Sequence, residues 1–490
     1  MTERGLEELF RELFHDRRFL VVSNREPYEH RWADEVGEMT VRVPAGGLTS
    51  ALDPLLQALG GTWVAWGSGE ADAAVVGDGD TVMVPPENPT YTLRRIWLTH
   101  HDIHRYYLGF SNQFLWPLCH LRPDLTRLRS RYWERYRRVN RRFAEAVLEE
   151  CRGEEAAVWF QDYQLALAPE FVRARRPDLT LAHFWHIPWP PVDIFRLAPQ
   201  GNYLLRGLLA NDLMGFQLPG FAENFLRCAQ RLPGAAVDWG AQTVELDGHR
   251  CRVGAFPISI DTDAFRDAAL APNAEVQMAR LRERYAPKGG AIGIGVDRLD
   301  YSKGLPEKLK ALEFLWERYP EFRERLTFIQ VAVPSRSDIE AYDELTQKVE
   351  RQVWEINERF GTEVWRPVQL IKQSLPSDRL SVLYRLADLC IVSSLQDGMN
   401  LVAKEYVASQ VNGAGVLLLS AFTGAAEEMH QATLVNPYDP EHMALVIRDA
   451  LLTPEEERRR VMKALQGSQR SIFDWMREVF VAWGEVASSG

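Results

Sequence analysis

The chain has 490 residues, 46% hydrophobic and 26% charged, which suits two to four folded domains and excludes disorder as its overall state. Its 57 Lys and Arg against 68 Asp and Glu give a net charge of −11. That balance is ill suited to a general nucleic-acid binder but compatible with a phosphorylated small molecule, since a few local cations suffice for one phosphate.

The N-terminal stretch MTERGLEELFRELFHDRR is charged throughout and lacks a signal-type apolar core, and no later run approaches the ~20 residues of a membrane span. The cytoplasm is therefore the expected compartment, with no membrane partner. Leu6, Leu9, Phe10, Leu13 and Phe14 recur at helical spacing and predict a helix packed on the domain behind it. RFLVVSN then reads as a strand, GLTSALDPLLQALG as a helix and TWVAWG as a strand, followed by the apolar runs AAVWFQ, LTLAHFWHI and DLMGFQL. Around residues 262–290 a charged helix (EVQMARLRERY) and the break APKGG interrupt the series. The alternation restarts with AIGIGV, LTFIQVAV, VQLIK, LCIVSS and GVLLLS, and QVWEINERF belongs to the longest helix among them. Two α/β domains in tandem are predicted, each with a parallel sheet covered on both faces. Cys119, Cys151, Cys228, Cys251 and Cys390 form no CxxC and fit neither a zinc site nor a disulfide framework.

In open parallel sheets, ligands collect at the carboxyl ends of the strands. Arg25, Asp162, His186, Arg298, Lys303, Arg336 and Asp397 all follow predicted strands. Arg298 and Lys303 lie on one strand-to-helix turn, in DRLDYSKG, where two cations suit a diphosphate without a metal; a salt-bridge cluster with Asp297 and Asp300 is the plainer alternative. Gly46 and Gly47 open a predicted helix whose first amides can face an anion. In QDGMNLVAKEY a helix starting near Asn400 would turn the Gly398–Leu401 amides to a ligand and let Glu405 accept from a ribose. Walker A, GxGxxG, HExxH and GxSxG patterns are missing from the sequence.

At these residues the chain resembles the retaining glycosyltransferases of the trehalose-6-phosphate synthase family. The blocks that carry the likeness are VVSNR (21–25), AGGL (45–48), YYLGFSNQFLWPLCH (106–120), VWFQDYQL (158–165), FWHIPWP (184–190) and GVDRLDYSKG (295–304), with VAVPSR (331–336), SSLQDGMNLVAKEY (393–406) and SAFTGAAEE (420–428). The resemblance implies a GT-B fold, two Rossmann-like domains whose parallel sheets face each other across a deep cleft. Residues 1–262 would be the acceptor domain, with a C-terminal helix within 470–490 packed back on it, and 263–469 the nucleotide-sugar domain. It also implies transfer of glucose from UDP-glucose or another NDP-glucose to glucose 6-phosphate, without metal or other cofactor. The product would be α,α-trehalose 6-phosphate, with a separate phosphatase needed for free trehalose. A homo-oligomer stays open.

Position by position, Arg298 and Lys303 resemble the diphosphate clamps, Gly47 the glycine near the diphosphate and Glu405 the ribose ligand. Gly398, Met399, Asn400 and Leu401 resemble the segment supporting nucleotide and phosphate. Asp397 and His186 resemble the ligands of the donor glucose, and Asp162 the acid that orients the acceptor. Arg25, Trp66, Tyr107 and Arg336 resemble the acceptor-phosphate pocket, with Trp116 against the acceptor. Two departures concern the acceptor side. Gln161 and Gln164 stand where the family reads HDYHL, and residues 26–45 replace a short loop expected to cover the acceptor. A phosphorylated acceptor such as glycerol 3-phosphate is the rival substrate, and an inactive sugar-phosphate-binding homologue the rival of another class.

Overall fold

The computed structural model describes residues 3–33, 37–44 and 47–488. It divides into two units, Met1–Ile258 with Ile472–Gly490, and Ser259–Ser471. Among the described residues, the first unit contains β1 (Arg18–Arg25), β2 (Glu29–Trp32), β3 (Met39–Arg42), β4 (Thr62–Trp66), β5 (Thr81–Val84) and β6 (Tyr91–Ile96). Then come β7 (Ala156–Gln161), β8 (Thr180–Trp185), β9 (Leu213–Phe216), β10 (Ala236–Asp238), β11 (Thr243–Leu246) and β12 (His249–Ala255).

Ten of these strands form one sheet in the order β10-β11-β12-β9-β8-β7-β1-β4-β6-β5. The run from β12 to β6 is parallel, and the antiparallel pairs lie toward its two edges. Every residue of β7 and β8 is buried, as continuous apolar strands covered on both faces must be. Counted along the chain, β1, β4, β6, β7, β8 and β9 lie in the order 3-2-1-4-5-6, which reverses direction between β1 and β7. Leu6, Phe10 and Phe14 of the N-terminal helix Glu3–Phe14 are buried, and Phe10 and Phe14 pack against Phe480 of the C-terminal helix Ile472–Ala487.

The stretch 26–45, expected as an unusual loop in place of a short one, carries two paired strands among its described residues. β2 and β3 pair antiparallel within them, Glu29 opposite Arg42 and Trp32 opposite Met39. The reason lies at the base of the hairpin. Arg95 of β6, fully buried, donates to Glu26 at 2.8 Å, contacts Asp72 at 3.0 Å and donates to His30 Nδ1 at 2.8 Å. Ser68 N–H adds a bond to Glu26 at 2.6 Å. Buried charges persist only when paired and hydrogen-bonded in this way. Burial pushes the Glu26 carboxyl up despite its arginine.

The second unit contains β13 (Ala291–Arg298), β14 (Leu326–Val333), β15 (Val368–Ile371), β16 (Leu389–Val392), β17 (Val416–Ser420) and β18 (Thr433–Val435). All pairs are parallel, in the order β15-β14-β13-β16-β17-β18. This is again 3-2-1-4-5-6, reversing between β13 and β16. Helices Leu305–Arg318, Glu340–Phe360 and Pro440–Leu452 contribute buried residues to one core with β14, β16 and β17.

Candidate functional site

In the first unit, Arg25 closes β1 opposite Trp66 of β4. Its Nη2 donates to the Tyr107 hydroxyl at 3.1 Å, and the Tyr107 ring centre is 5.9 Å from that of Trp66. Three of the expected acceptor-phosphate residues therefore meet at one strand end. Tyr107 lies on a stretch wound as a π-helix, Ile103–Leu115, a rare winding often found at functional sites. Trp116, just beyond it, is buried, stacked on His120 at 4.1 Å and packed 5.8 Å from Tyr163. Gly47 opens helix Gly47–Leu59, whereas Gly46 lies outside the described residues.

At the end of β7, Asp162 has φ 68° and ψ 174°, a region that side chains other than glycine rarely adopt. Its N–H donates to Phe184 O at 2.7 Å, and its own carbonyl accepts from His183 Nε2 at 3.0 Å. The carboxylate accepts from the His186 N–H at 3.2 Å. The His186 ring meets Gln161 Oε1 through Nε2 at 2.9 Å and Gln217 Nε2 through Nδ1 at 3.4 Å. Burial pushes both His183 and His186 down to about 3, so both rings are neutral at neutral pH. Gln217 follows β9 directly, in the same strand-end position as Asp162 and His186, but is not among the residues that the sequence singles out.

In the second unit, Arg298 is the last residue of β13, and the next turn holds Lys303. Gly304 has φ 63°, and a Cβ there would press on Ser393 O, so glycine is required for the close approach. Ser393 Oγ donates to the carbonyls of Lys303 and Gly304, 3.0 Å each, and Leu395 N–H donates to Ser302 O at 2.7 Å. This stitching sets Lys303 Nζ 2.6 Å from Asp397 Oδ2. Ser394 Oγ and Asn400 Nδ2 donate to the same oxygen at 3.1 Å each. Asn400 has φ 128° and caps helix Leu401–Ser409 by accepting from Ala403 N–H at 3.1 Å. Met399 beside it is buried, and Gly424 lies so close to the Gly398 carbonyl that a Cβ would press on it.

Glu405, one turn into that helix, accepts from the Tyr384 hydroxyl at 2.9 Å. Burial pushes its carboxyl up to about 7, although the tyrosine bond pulls the other way. Asp297 and Asp300 hold other partners. Asp297 takes Lys308 at 2.6 Å, and Asp300 takes Arg336 at 3.3 Å. Arg336 thus belongs to the second unit, its side chain buried against Asp300 and Tyr342. The other five expected acceptor-side residues, Arg25, Trp66, Tyr107, Trp116 and Asp162, belong to the first unit.

Two Rossmann-like units in one chain, each with polar residues at the carboxyl ends around its switch point, are the architecture of the GT-B glycosyltransferases. Residues 17–482 match the model of glycosyltransferase family 20. The chain belongs to that family and is an enzyme of the trehalose-6-phosphate synthase type. It is 42% identical over 469 residues to trehalose-6-phosphate synthase of Mycobacterium marinum, covering 93% of this chain and 91% of the relative. It is 40% identical over 488 residues to the Mycolicibacterium smegmatis enzyme of the same name, covering 96% and 94%. Its fold is similar to that of an α,α-trehalose-phosphate synthase (UDP-forming) from Burkholderia xenovorans in complex with glucose 6-phosphate, with TM-score 0.84, 31% identity and coverage of 96% and 100%. An E. coli structure bound with UDP-2-fluoro glucose gives TM-score 0.82 at 32% identity, covering 96% and 99%.

Proposed function

We propose that this enzyme transfers glucose from UDP-glucose to glucose 6-phosphate with retention, giving α,α-trehalose 6-phosphate and UDP. The observation that carries the proposal is the pair of Arg298, which ends β13, and Lys303 on the next turn, at the switch point of a sheet whose neighbouring turn supplies Asp397. The relatives' bound glucose 6-phosphate and UDP-2-fluoro glucose support the two substrates.

In this reading Arg298 and Lys303 bind the donor diphosphate and stabilise the charge that grows as the glucose C1–O bond breaks. Asp397 and His186 hold the donor glucose, while Glu405 and the Gly398–Leu401 backbone hold the nucleoside side, with Gly47 near the diphosphate. The bonding electrons leave with the diphosphate oxygen. The acceptor's anomeric oxygen bonds to C1 on the same face, and its proton passes to the departing phosphate, so no carboxylate nucleophile is required. Asp162 orients that hydroxyl. Arg25, Tyr107 and Trp66 take the acceptor phosphate; Arg336 and Trp116 join them through the resemblance alone. Side chains supply the cations, so turnover needs no divalent metal, and the phosphorylated substrates place the reaction in the cytoplasm. The product keeps its phosphate, which a separate phosphatase must remove.

The test is UDP release from UDP-glucose over a panel of acceptors, with the product linkage read by NMR, before and after exhaustive chelation. Loss of activity restored only by magnesium or manganese overturns the metal-free reading. Preference for glycerol 3-phosphate over glucose 6-phosphate would move the function to another phosphorylated acceptor. The hairpin of β2 and β3, close in sequence to Arg25, and the Gln161 and Gln164 replacements are the features that favour that second reading.

A further inference from the structure

The ring of His186 is bracketed by two glutamine side chains, and a backbone donor fixes how both must point. Ile258 N–H can only donate, and it lies 2.9 Å from Gln217 Oε1. The Gln217 amide therefore turns its Nε2 to His186 Nδ1, at 3.4 Å. A donor facing Nδ1 requires a lone pair there, so a neutral ring carries its proton on Nε2. Nε2 in turn lies 2.9 Å from Gln161 Oε1, an acceptor. The three contacts run in one direction, and reversing any one sets two donors or two acceptors face to face. Gln161 is fully buried, and its own Nε2 has no partner among the described residues. What that side chain provides is the acceptor for His186.

We infer that Gln161 and Gln217 are positioning residues that hold His186 as the neutral, Nε2-protonated tautomer, leaving Nδ1 as a hydrogen-bond acceptor for a hydroxyl. The 3.4 Å contact is the long one, so a ligand hydroxyl competes with Gln217 for Nδ1, while the 2.9 Å contact keeps the proton in place. The groups around the ring agree with a neutral state. Phe184 and Trp475 contact it from β8 and from the helix Ile472–Ala487, 4.6 and 6.4 Å between ring centres. His183 is the nearby titratable ring, and the Asp162 carboxylate is engaged by the backbone N–H of His186. Burial pushes His186 down to about 3, in keeping with this arrangement. His186 then acts as an acceptor and orienting group, not as a proton shuttle.

The relay stands on the geometry of the first unit; its bearing on turnover rests on the proposed glucose transfer. The experiment is ring-nitrogen NMR on the full chain labelled with ¹⁵N-histidine, with His186 assigned by the signal lost in His186→Asn. The expected wild-type result is a neutral ring protonated on Nε2 from pH 5 to pH 8. Gln217→Glu, which replaces the facing donor by an acceptor, should move a proton onto Nδ1 and lower kcat at least about fivefold, the worth of one hydrogen bond. Gln161→Glu keeps an acceptor at Nε2 and should retain the wild-type tautomer at pH 8, whereas Gln161→Leu removes that acceptor and should shift the Nε2 resonance while the Gln217 donor still holds the lone pair on Nδ1. A wild-type ring titrating near pH 6.5, a ring protonated on Nδ1, or an unchanged signal in Gln217→Glu overturns the relay. The expected signals in a protein that transfers no sugar to any acceptor would support the relay and count against the transfer reaction instead.

Discussion

At the switch point of the second unit the central contact is an ion pair: Lys303 and Asp397 sit at 2.6 Å, with Ser394 and Asn400 supporting the same carboxylate oxygen. At the switch point of the first unit the strand ends of β7 and β8 carry an amide and two histidines that burial keeps neutral. Both sites are built on the order 3-2-1-4-5-6. Strand order therefore decides where the polar residues gather, and burial keeps the His183 and His186 rings among them neutral. A diphosphate leaving group needs cations whose charge survives in the site, while sugar hydroxyls are sorted by neutral donors and acceptors with fixed directions.

The largest expected effect tests the charged side of this contrast. Lys303→Ala and Arg298→Ala should each lower kcat ~10²-fold or more, as removing a preorganised stabiliser of developing charge does elsewhere. Folded, purified variants with full activity would falsify the clamp assignment. Next comes the exposed arginine of the first unit. Arg25→Ala should cut kcat/KM for glucose 6-phosphate roughly 10- to 100-fold, the worth of one charge-assisted bond, and leave the poor use of free glucose unchanged. Equal losses on both acceptors would place Arg25 outside a phosphate pocket.

A third prediction asks how far burial controls charge in the second unit. Glu405 in the folded chain ionises near 7 against an ordinary 4.5. Protonated Glu405 then favours the folded state: its contribution is full below about pH 4.5 and is lost as pH rises through about 7. Glu405→Gln cannot ionise, so the variant should gain stability relative to wild type between pH 5 and pH 8, by on the order of 2 kcal/mol. Parallel thermal-melting curves across that range would show that Glu405 ionises normally. The smallest effect is expected at Asn400, whose φ of 128° is strained. Asn400→Gly relieves the backbone but removes the cap and one bond to Asp397, so stability should shift by less than ~1 kcal/mol while UDP-glucose turnover falls. A large loss of stability would mean that the cap outweighs the strain.

What the sequence made legible follows from the same physics. Strands β13, β14 and β16 are continuous apolar runs, so the polar residues that follow them are placed at strand ends by the amino-acid pattern alone. The DRLDYSKG turn was readable because a glycine and two cations sit within a few positions. Gln217 obeyed the same strand-end rule and was within reach of it, but a lone glutamine carries no charge to draw attention. The cluster of Glu26, His30, Asp72 and Arg95 was out of reach. Arg95 lies 69 residues from Glu26, and each alone looks like an ordinary solvated charge. Trp116 matched a ligand-facing position by motif, yet it is buried and packed against Tyr163, a tertiary contact that no local pattern encodes.

The C-terminal helix carries one more consequence, for the order in which the protein is made. Trp475 packs on Trp159 and donates to Phe256 O, Phe480 packs on Phe10, Phe14 and Phe19, and Trp483 packs on Phe14. These rings complete the core of the first unit, but the ribosome delivers them only after residues 259–471 have emerged. The second unit is one continuous segment and has all its strands in hand while the first still exposes the aromatic face those rings will cover. Until that last helix is made, the nascent first unit therefore carries aromatic surface that its own chain has not yet covered.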